Sequence, residues 1–263
     1  MLVTTQTFRK KKEAGEKIAL LTAYDYPTAM LMDESGVDAV LVGDSLGMAV
    51  MGMENTLNVT MDMMVHHVKM VRAGLSRAML IADMPYLSYQ INTAEAIRNA
   101  GRLIAEGGAQ AVKLEGSARF FGEAIAGLGR AGIPVMGHLG LTPQFINQLG
   151  GYKIQGRTEE QARQLQTEAL ELQKAGCFAL VLECVPAELA MQISNNLSIP
   201  TIGIGAGNGC DGQVLVWYDM AGWGRTKFTK NFKDVRSLML DAFTAYVEEV
   251  RRGEFPGKEH SFE

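Results

Sequence analysis

Short apolar runs recur along the chain and alternate with longer segments of helical character. The runs are too short for independent helices and mostly lack strict alternation, as expected for strands that are covered on both faces. They predict seven buried strands, at 18–23, 38–43, 78–83, 111–116, 134–140, 179–184 and 200–205.

The segments between these runs have the composition and spacing of helices. Thr93, followed by Ala-Glu-Ala, resembles an N-cap and a first turn. Strand and helix alternating at this spacing indicate βα units and a parallel sheet. The predicted helices are 28–35, 60–73, 93–106, 117–131, 158–175 and 186–197.

The eighth strand needs a separate argument. Residues 211–222 have a strand-like composition, but a parallel neighbour of the 200–205 run normally requires a crossover of about a dozen residues. We therefore predict a helix over 212–220 capped by Asp211, a short strand near 226–232, and a long helix over 233–251.

Eight βα units in a chain of 263 residues predict an α/β fold, a (β/α)8 TIM-type barrel. An open doubly wound sheet is the alternative. No linker or low-complexity tract interrupts the pattern, so we predict one barrel domain over 1–263 with N-terminal and C-terminal helical extensions.

Composition narrows the class of protein. The chain is 47% hydrophobic with a formal net charge of -4, which is typical of a globular protein and argues against a nucleic-acid partner. No apolar stretch approaches the ~18 residues of a membrane span, so no membrane partner is expected. The three cysteines have neither zinc-site nor disulfide spacing. We expect a cytoplasmic protein with small-molecule partners.

Polar residues follow the predicted strands at successive ends. In a (β/α)8 barrel the active site lies at the C-terminal ends of the strands. One acid at such a position is ordinary turn or cap chemistry, but several at successive ends predict a shared polar site. In chain order the ends have Thr22, Tyr24 and Asp25, then Asp44 and Ser45, Asp83, Lys113 and Glu115, His138 and Glu183.

Lys113 and Glu115 are two positions apart on one strand and therefore face the same side, toward the barrel axis. Buried charges are costly unless they are paired or bound to a metal. Asp44, Asp83 and Glu115 offer hard oxygen ligands, which suit Mg²⁺. The alternative is a lysine–carboxylate network without a metal.

A metal and a lysine at one cavity suit a substrate with a carboxylate beside a keto oxygen, because together they stabilise an enolate. Glu183, one strand further round, is the candidate base. His138 is a candidate hydrogen-bond partner of the metal or substrate, or a structural residue.

Several longer motifs resemble one family, the ketopantoate hydroxymethyltransferases of pantothenate biosynthesis. The resemblance runs in order along nearly the whole chain. The motifs are TAYDY (22–26), VGDSLGM (42–48), ADMPY (82–86), VKLEG (112–116), GHLGLTPQ (137–144), GGYKIQGR (150–157), LECVP (182–186) and IGIGAG (202–207).

The resemblance implies a barrel of the phosphoenolpyruvate mutase and isocitrate lyase superfamily that assembles as a homodecamer. It implies transfer of a one-carbon unit from 5,10-methylenetetrahydrofolate to 3-methyl-2-oxobutanoate, which gives 2-dehydropantoate. By the resemblance, Mg²⁺ is held by Asp44, Asp83 and Glu115, the substrate is contacted by Asp44, Ser45, Asp83 and Lys113, and Glu183 is the proton acceptor.

Lys113 and His138 complete the predicted catalytic set. Tyr24 and the loop 140–144 are weaker candidates for the folate side. Two other functions compete: a lyase or mutase of the same superfamily, whose Lys-Lys-Cys-Gly-His loop the chain lacks, and a barrel that binds a ligand without catalysis.

Overall fold

The computed structural model describes residues 2–224 and 226–262. The chain clusters into two compact units, Met1–Val216 and Trp217–Glu263, which are described separately. A single domain over 1–263 stays a prediction.

The first unit contains a closed barrel of parallel strands in the order β1 to β8. Pairing of β1 with β8, in which Ile18 lies opposite Gly212, closes the sheet and rules out the open alternative. The predicted (β/α)8 fold is therefore confirmed. The strands are β1 (Ile18–Thr22), β2 (Ala39–Val42), β3 (Met79–Asp83), β4 (Ala111–Lys113), β5 (Val135–Gly140), β6 (Ala179–Glu183), β7 (Thr201–Ile204) and β8 (Gly212–Leu215).

Six helices of the first unit match the six predicted segments within a few residues. We predicted Thr93 as an N-cap, but the N-cap of this helix is Asn92, one residue earlier. The Asn92 side chain accepts a 2.9 Å hydrogen bond from Glu95 N. The helices are α1 (Thr5–Ala14), α2 (Tyr26–Ser35), α3 (Leu46–Ala49), α4 (Met61–Gly74), α5 (Thr93–Ala105), α6 (Ala118–Arg130), α7 (Ile146–Leu149), α8 (Glu159–Ala175) and α9 (Ala187–Asn196), with a 3₁₀ turn at Pro143–Phe145.

The regular elements of the second unit, over its described residues, are all helical, and they are joined by turns and irregular segments. It has a π-helical turn at Asp219–Trp223, the predicted long helix α10 (Val235–Arg252) and a 3₁₀ turn at Lys258–His260. No strand occurs in residues 217–224 or 226–262, so the predicted strand near 226–232 is wrong. No helix in the described part of the chain is long and apolar enough to cross a membrane.

The eighth strand is β8, where we had predicted a helix over 212–220 with Asp211 as its cap. Strands β7 and β8 have four residues each, so the chain must return only about 13 Å along the barrel. The connection 205–211 can span that distance, since seven extended residues reach about 23 Å. Gly205 begins the reversal with a left-handed φ of 62°. The crossover rule fails here because the strands are short.

Alternate strand residues fill the barrel interior with apolar side chains. Because side chains alternate along a strand, the residue two positions after a core residue also points inward. The same rule that buries Ile81 and Met136 brings Asp83 and His138 to the layer above them. The apolar layer comprises Ile18, Leu20, Ala39, Leu41, Met79, Ile81, Ala111, Met136, Ala179, Val181, Ile202 and Val214.

Helix α1 packs against the opposite, N-terminal end of the barrel. Its Phe8 is fully buried in the apolar layer. Lys12, in α1, and Lys17, just before β1, contact the residues that precede β8: Lys12 Nζ lies 2.7 Å from Asp211 Oδ2, and Lys17 Nζ donates to Cys210 O at 2.6 Å. We call these contacts, with the β1–β8 pairing, the closing seam.

Candidate active site

Lys113 lies at the centre of a buried charged cluster at the C-terminal mouth of the barrel. Its Nζ is 3.0 Å from Asp83 Oδ1, 3.8 Å from Glu115 Oε1 and 3.2 Å from His138 Nδ1. All four side chains are buried. Lys113 and Glu115 therefore face the barrel axis together, as their spacing predicts.

His138 connects the interior of the cluster to its mouth. Its Nδ1 lies 3.4 Å from Glu115 Oε1, and its Nε2 lies 3.3 Å from Glu183 Oε2. The Glu183 side chain is 17% exposed, whereas that of Glu115 is 1% exposed. Of the two acids that flank the imidazole, Glu183 is thus the one that a substrate can reach.

A glycine brings β5 close to the end of β6. Gly140 has a left-handed φ of 93°, and a Cβ there would lie 2.2 Å from Glu183 O. Its backbone is paired with Glu183 in the barrel register. The Gly137–Gly140 end of β5 therefore helps to place the candidate base.

The loop after β2 is held by contacts with residues that follow β1 and with β3. Asp44 N donates to Asp83 Oδ2 at 3.1 Å, which ties the loop to β3. Ser45 Oγ lies 2.8 Å from Tyr24 OH, and Tyr24 O is 2.6 Å from His67 Nδ1. The predicted substrate contact Ser45 therefore lies beside the buried acids, held from the β1 side.

Two residues that strand-end reasoning did not select belong to the cluster. Gln144 Nε2 donates to Asp44 Oδ2 at 2.8 Å, and Gln144 N donates to Glu115 Oε2 at 2.9 Å. Tyr89 OH lies 3.0 Å from Gln144 Oε1. We had considered the 140–144 loop for the folate side, but the Gln144 side chain lies among the carboxylates. Both residues sit in loops, and only the GHLGLTPQ motif pointed toward one of them.

Burial and mutual repulsion disturb the carboxylates unequally. Burial, followed by the charge of Asp83, raises the pKa of Asp44 well above its ordinary value. Burial also raises the pKa of Asp83 despite the attraction of Lys113. Burial alone would raise the pKa of Glu115 as well, but its contacts with His138 and Lys113 lower the net value. Glu115 is therefore the firmest anion of the three.

The two basic groups are held in their charged forms. Burial favours neutral Lys113, but Asp83, Glu115 and Asp44 outweigh it and raise the pKa of the ammonium. Burial and Lys113 oppose a charged His138, yet the neighbouring carboxylates of Glu115 and Glu183 raise its pKa to about 9. The imidazole is thus an imidazolium between two acids at neutral pH.

The chemistry of this cluster fits a hard divalent cation. Four carboxylates face two cationic groups, so the site has an excess of negative charge. Asp83 Oδ1 is buried and, among the described residues, makes an ion pair but no hydrogen bond. No three His, Cys, Asp or Glu side chains in residues 2–224 and 226–262 are arranged to hold an ion by themselves. Water and substrate oxygens would have to complete the shell, and the metal prediction stays a prediction.

The cysteines lack the character of nucleophiles. Burial raises the pKa of the Cys177 thiol to about 12 and, with the charge of Glu183, that of Cys184 to about 11. Burial also raises the pKa of Cys210. A thiol with a raised pKa has little thiolate at neutral pH, so the chemistry of the site belongs to the carboxylates, Lys113 and His138.

A closed parallel barrel with an acidic cluster at its C-terminal mouth defines a (β/α)8 enzyme with a polar active site. Solved structures agree on the fold. A phosphonopyruvate hydrolase in complex with oxalate and Mg++ matches with a TM-score of 0.66 at 12% identity, over 99% of this chain and 93% of that one. A 2,3-dimethylmalate lyase of the PEP mutase/isocitrate lyase superfamily matches with a TM-score of 0.62 at 16% identity, over 99% and 92%.

Sequence comparison identifies the family. The family model for ketopantoate hydroxymethyltransferase matches residues 2–258. A 3-methyl-2-oxobutanoate hydroxymethyltransferase of Clostridium novyi (strain NT) is 55% identical, over 98% of this chain and 95% of its own length. Another, of Enterococcus faecalis (strain ATCC 700802 / V583), is 51% identical over 98% and 95%. The chain belongs to the ketopantoate hydroxymethyltransferase family.

The chain is therefore a transferase of pantothenate biosynthesis, as the resemblance implies. The two competing functions, a lyase or mutase and a barrel that only binds, lose their support.

Proposed function

We propose that the chain moves a one-carbon unit from 5,10-methylenetetrahydrofolate to 3-methyl-2-oxobutanoate, giving 2-dehydropantoate in the first step of pantothenate biosynthesis. The main observation in support is the convergence of Lys113, three buried acids and the more exposed Glu183 at one end of the barrel. The names of the relatives support the same reaction.

The ketoacid would bind at the mouth with a carboxylate oxygen and the keto oxygen toward the cluster. Lys113 supplies a buried positive charge for the carboxylate and keto oxygens, and Ser45 supplies a hydroxyl at the rim. Asp44, Asp83 and Glu115 would hold Mg²⁺, directly or through water, and Mg²⁺ would polarise the keto group. The oxalate and Mg++ in the related hydrolase structure support this arrangement, since oxalate also presents two neighbouring oxygens.

Glu183 would act as the base that removes the proton from C3 of the ketoacid. A general base must reach the proton that it removes, and Glu183 is the acid of the cluster that is open to the mouth. His138 orients its carboxylate through the 3.3 Å contact between Nε2 and Oε2. Lys113 stabilises the negative charge that develops on the enolate oxygen.

The enolate carbon would then form a bond to the methylene carbon of the folate. The bonds from that carbon to N5 and N10 both break. Water supplies the hydroxyl oxygen of the product, and the C3 proton and one proton of the water complete N5–H and N10–H of the leaving tetrahydrofolate. The resemblance to the family supports this donor, a cytoplasmic location and a homodecameric assembly, which light scattering of the purified chain would test.

Deuterium exchange tests the enolisation without the folate. The chain is incubated with 3-methyl-2-oxobutanoate in D₂O, with and without Mg²⁺, and the C3 proton is followed by NMR. We expect Mg²⁺-dependent loss of the signal. Glu183→Gln should slow the exchange by about 10²–10⁴-fold while the ketoacid still binds, because the amide keeps the shape but cannot accept the proton.

A matched control is Glu188→Gln, which removes an exposed glutamate at the start of α9. It should exchange at the rate of the unchanged chain. Exchange in Glu183→Gln at the unchanged rate would remove Glu183 as the base, and exchange independent of Mg²⁺ would remove the metal from enolisation.

A further inference from the structure

We infer that Gln144 is the positioning residue that sets two of the buried acids of the cluster, Asp44 and Glu115, for a divalent cation. The inference rests on the proposed Mg²⁺ site and goes beyond it by assigning a residue that is not itself a ligand. Gln144 bonds to both acids at once, from its side chain and from its backbone.

The two contacts join segments that follow two different strands, β2 and β4. The Nε2 group reaches Asp44 Oδ2, in the loop after β2, at 2.8 Å, while the backbone N–H reaches Glu115 Oε2, after β4, at 2.9 Å. Each bond engages one oxygen of a carboxylate and leaves the second oxygen outside the contact. The 3₁₀ turn at Pro143–Phe145 presents both donors from above β5.

The orientation of the Gln144 amide is fixed by its surroundings. Nε2 has two acceptors, Asp44 Oδ2 at 2.8 Å and Met84 O at 2.9 Å. Oε1 faces two donor groups, Tyr89 OH at 3.0 Å and Gln90 Nε2 at 3.1 Å. A flipped amide would place its oxygen against two acceptors, so the network permits one orientation.

A neutral donor has a specific advantage at this position. Lys113 already supplies a cation to Asp83 and Glu115, and a second cation near Asp44 would compete with a metal for its charge. An amide stabilises the Asp44 carboxylate through a hydrogen bond and leaves its negative charge in place. Groups that orient metal ligands in this way typically contribute about 10–100-fold to metal affinity.

Tyr89 holds the Gln144 side chain in place. Its buried hydroxyl lies 3.0 Å from Gln144 Oε1 and 3.0 Å from Glu115 O, and it accepts from Glu115 N at 3.1 Å. The phenol therefore links the amide to the backbone of the acid that the amide also holds.

The test uses Mn²⁺ as the probe, with the free ion measured by electron paramagnetic resonance, with and without 3-methyl-2-oxobutanoate. Gln144→Met keeps the length of the side chain and removes its hydrogen bonds; we expect Mn²⁺ to bind about tenfold or more weakly. Tyr89→Phe should weaken binding less, by about threefold. In turnover assays, Gln144→Met should need more Mg²⁺ than the unchanged chain to reach its own half-maximal rate.

The control for a merely structural effect is Ser194→Ala at the other end of the barrel, where the hydroxyl bonds to Thr201 at 2.6 Å. This variant should lose thermal stability and keep its Mn²⁺ affinity. If the unchanged chain binds Mn²⁺ and Gln144→Met binds it equally well, the inference is overturned and the metal site stands. If the unchanged chain binds no Mn²⁺ in either condition, the metal site and the inference both fail.

Discussion

Removal of the central ammonium by Lys113→Met should strongly destabilise the metal-free chain. At an effective dielectric constant of about 20, unit charges 3.0 Å and 3.8 Å apart attract by about 5.5 and 4.4 kcal/mol. Burial of the ammonium offsets several kcal/mol of this. Without the ammonium, the neighbouring carboxylates would be buried without their cationic partner. We therefore expect the free energy of unfolding to fall by about 3–5 kcal/mol near pH 8.

Urea denaturation in the presence of EDTA measures this loss. Asp83→Asn in the Lys113→Met background should restore part of the stability, because it removes an acid that the lysine no longer balances. The exposed Lys153→Met is the control and should change stability by less than about 0.5 kcal/mol. A loss below about 1 kcal/mol, or strictly additive effects of the two substitutions, would refute the account of the cluster as a coupled network.

Three further predictions concern the frame around the site. Backbone and hydroxyl donors, opposing its burial, lower the pKa of Asp33 from 3.8 to about 2. The ionised Asp33 therefore stabilises the fold fully above pH 3.8, and this stabilisation is lost as the pH falls through about 2. Asp33→Asn should lower the free energy of unfolding by about 1–2 kcal/mol at pH 7, less than the full pKa shift implies because the carboxylate is partly exposed. Urea melts at several pH values should show that the difference vanishes in acid. Gly140→Ala should cut turnover at least about tenfold, as its Cβ collides with Glu183 O; unchanged kcat would contradict this. Phe8→Ala should lower the free energy of unfolding by about 3–5 kcal/mol in urea melts, and a loss near zero would show that α1 does not seal the barrel.

The inward-facing part of the site could be predicted from sequence because strand alternation is a local rule. Asp83 and His138 each follow a buried residue of their strand by two positions, so the pattern that identifies the core also aims these side chains. Residue chemistry suggested a ligand role for Asp83 and a hydrogen-bonding role for His138, but it left a metal-free ion-pair network as the alternative. The family resemblance favoured the metal site.

The errors arise where tertiary structure decides. The β7–β8 connection was misassigned because the usual crossover length assumes strands longer than four residues. Gln144 and Tyr89 lie in loops, where no periodicity indicates the direction of a side chain. Their contacts with the acids depend on how the loops after β3 and β5 fold over the mouth, and that path is not encoded in any local pattern.

The closing seam has a consequence for the order in which the barrel forms. Lys12 and Asp211 are 199 residues apart, so bringing them together costs more chain entropy than any pairing of consecutive strands. During synthesis β1 must remain without its β8 neighbour until Gly212–Leu215 has been made, and its edge is exposed for that whole time. The barrel can therefore close only after residues 210–215 have been made, when β8 pairs with β1 and the two lysines contact Asp211 and Cys210.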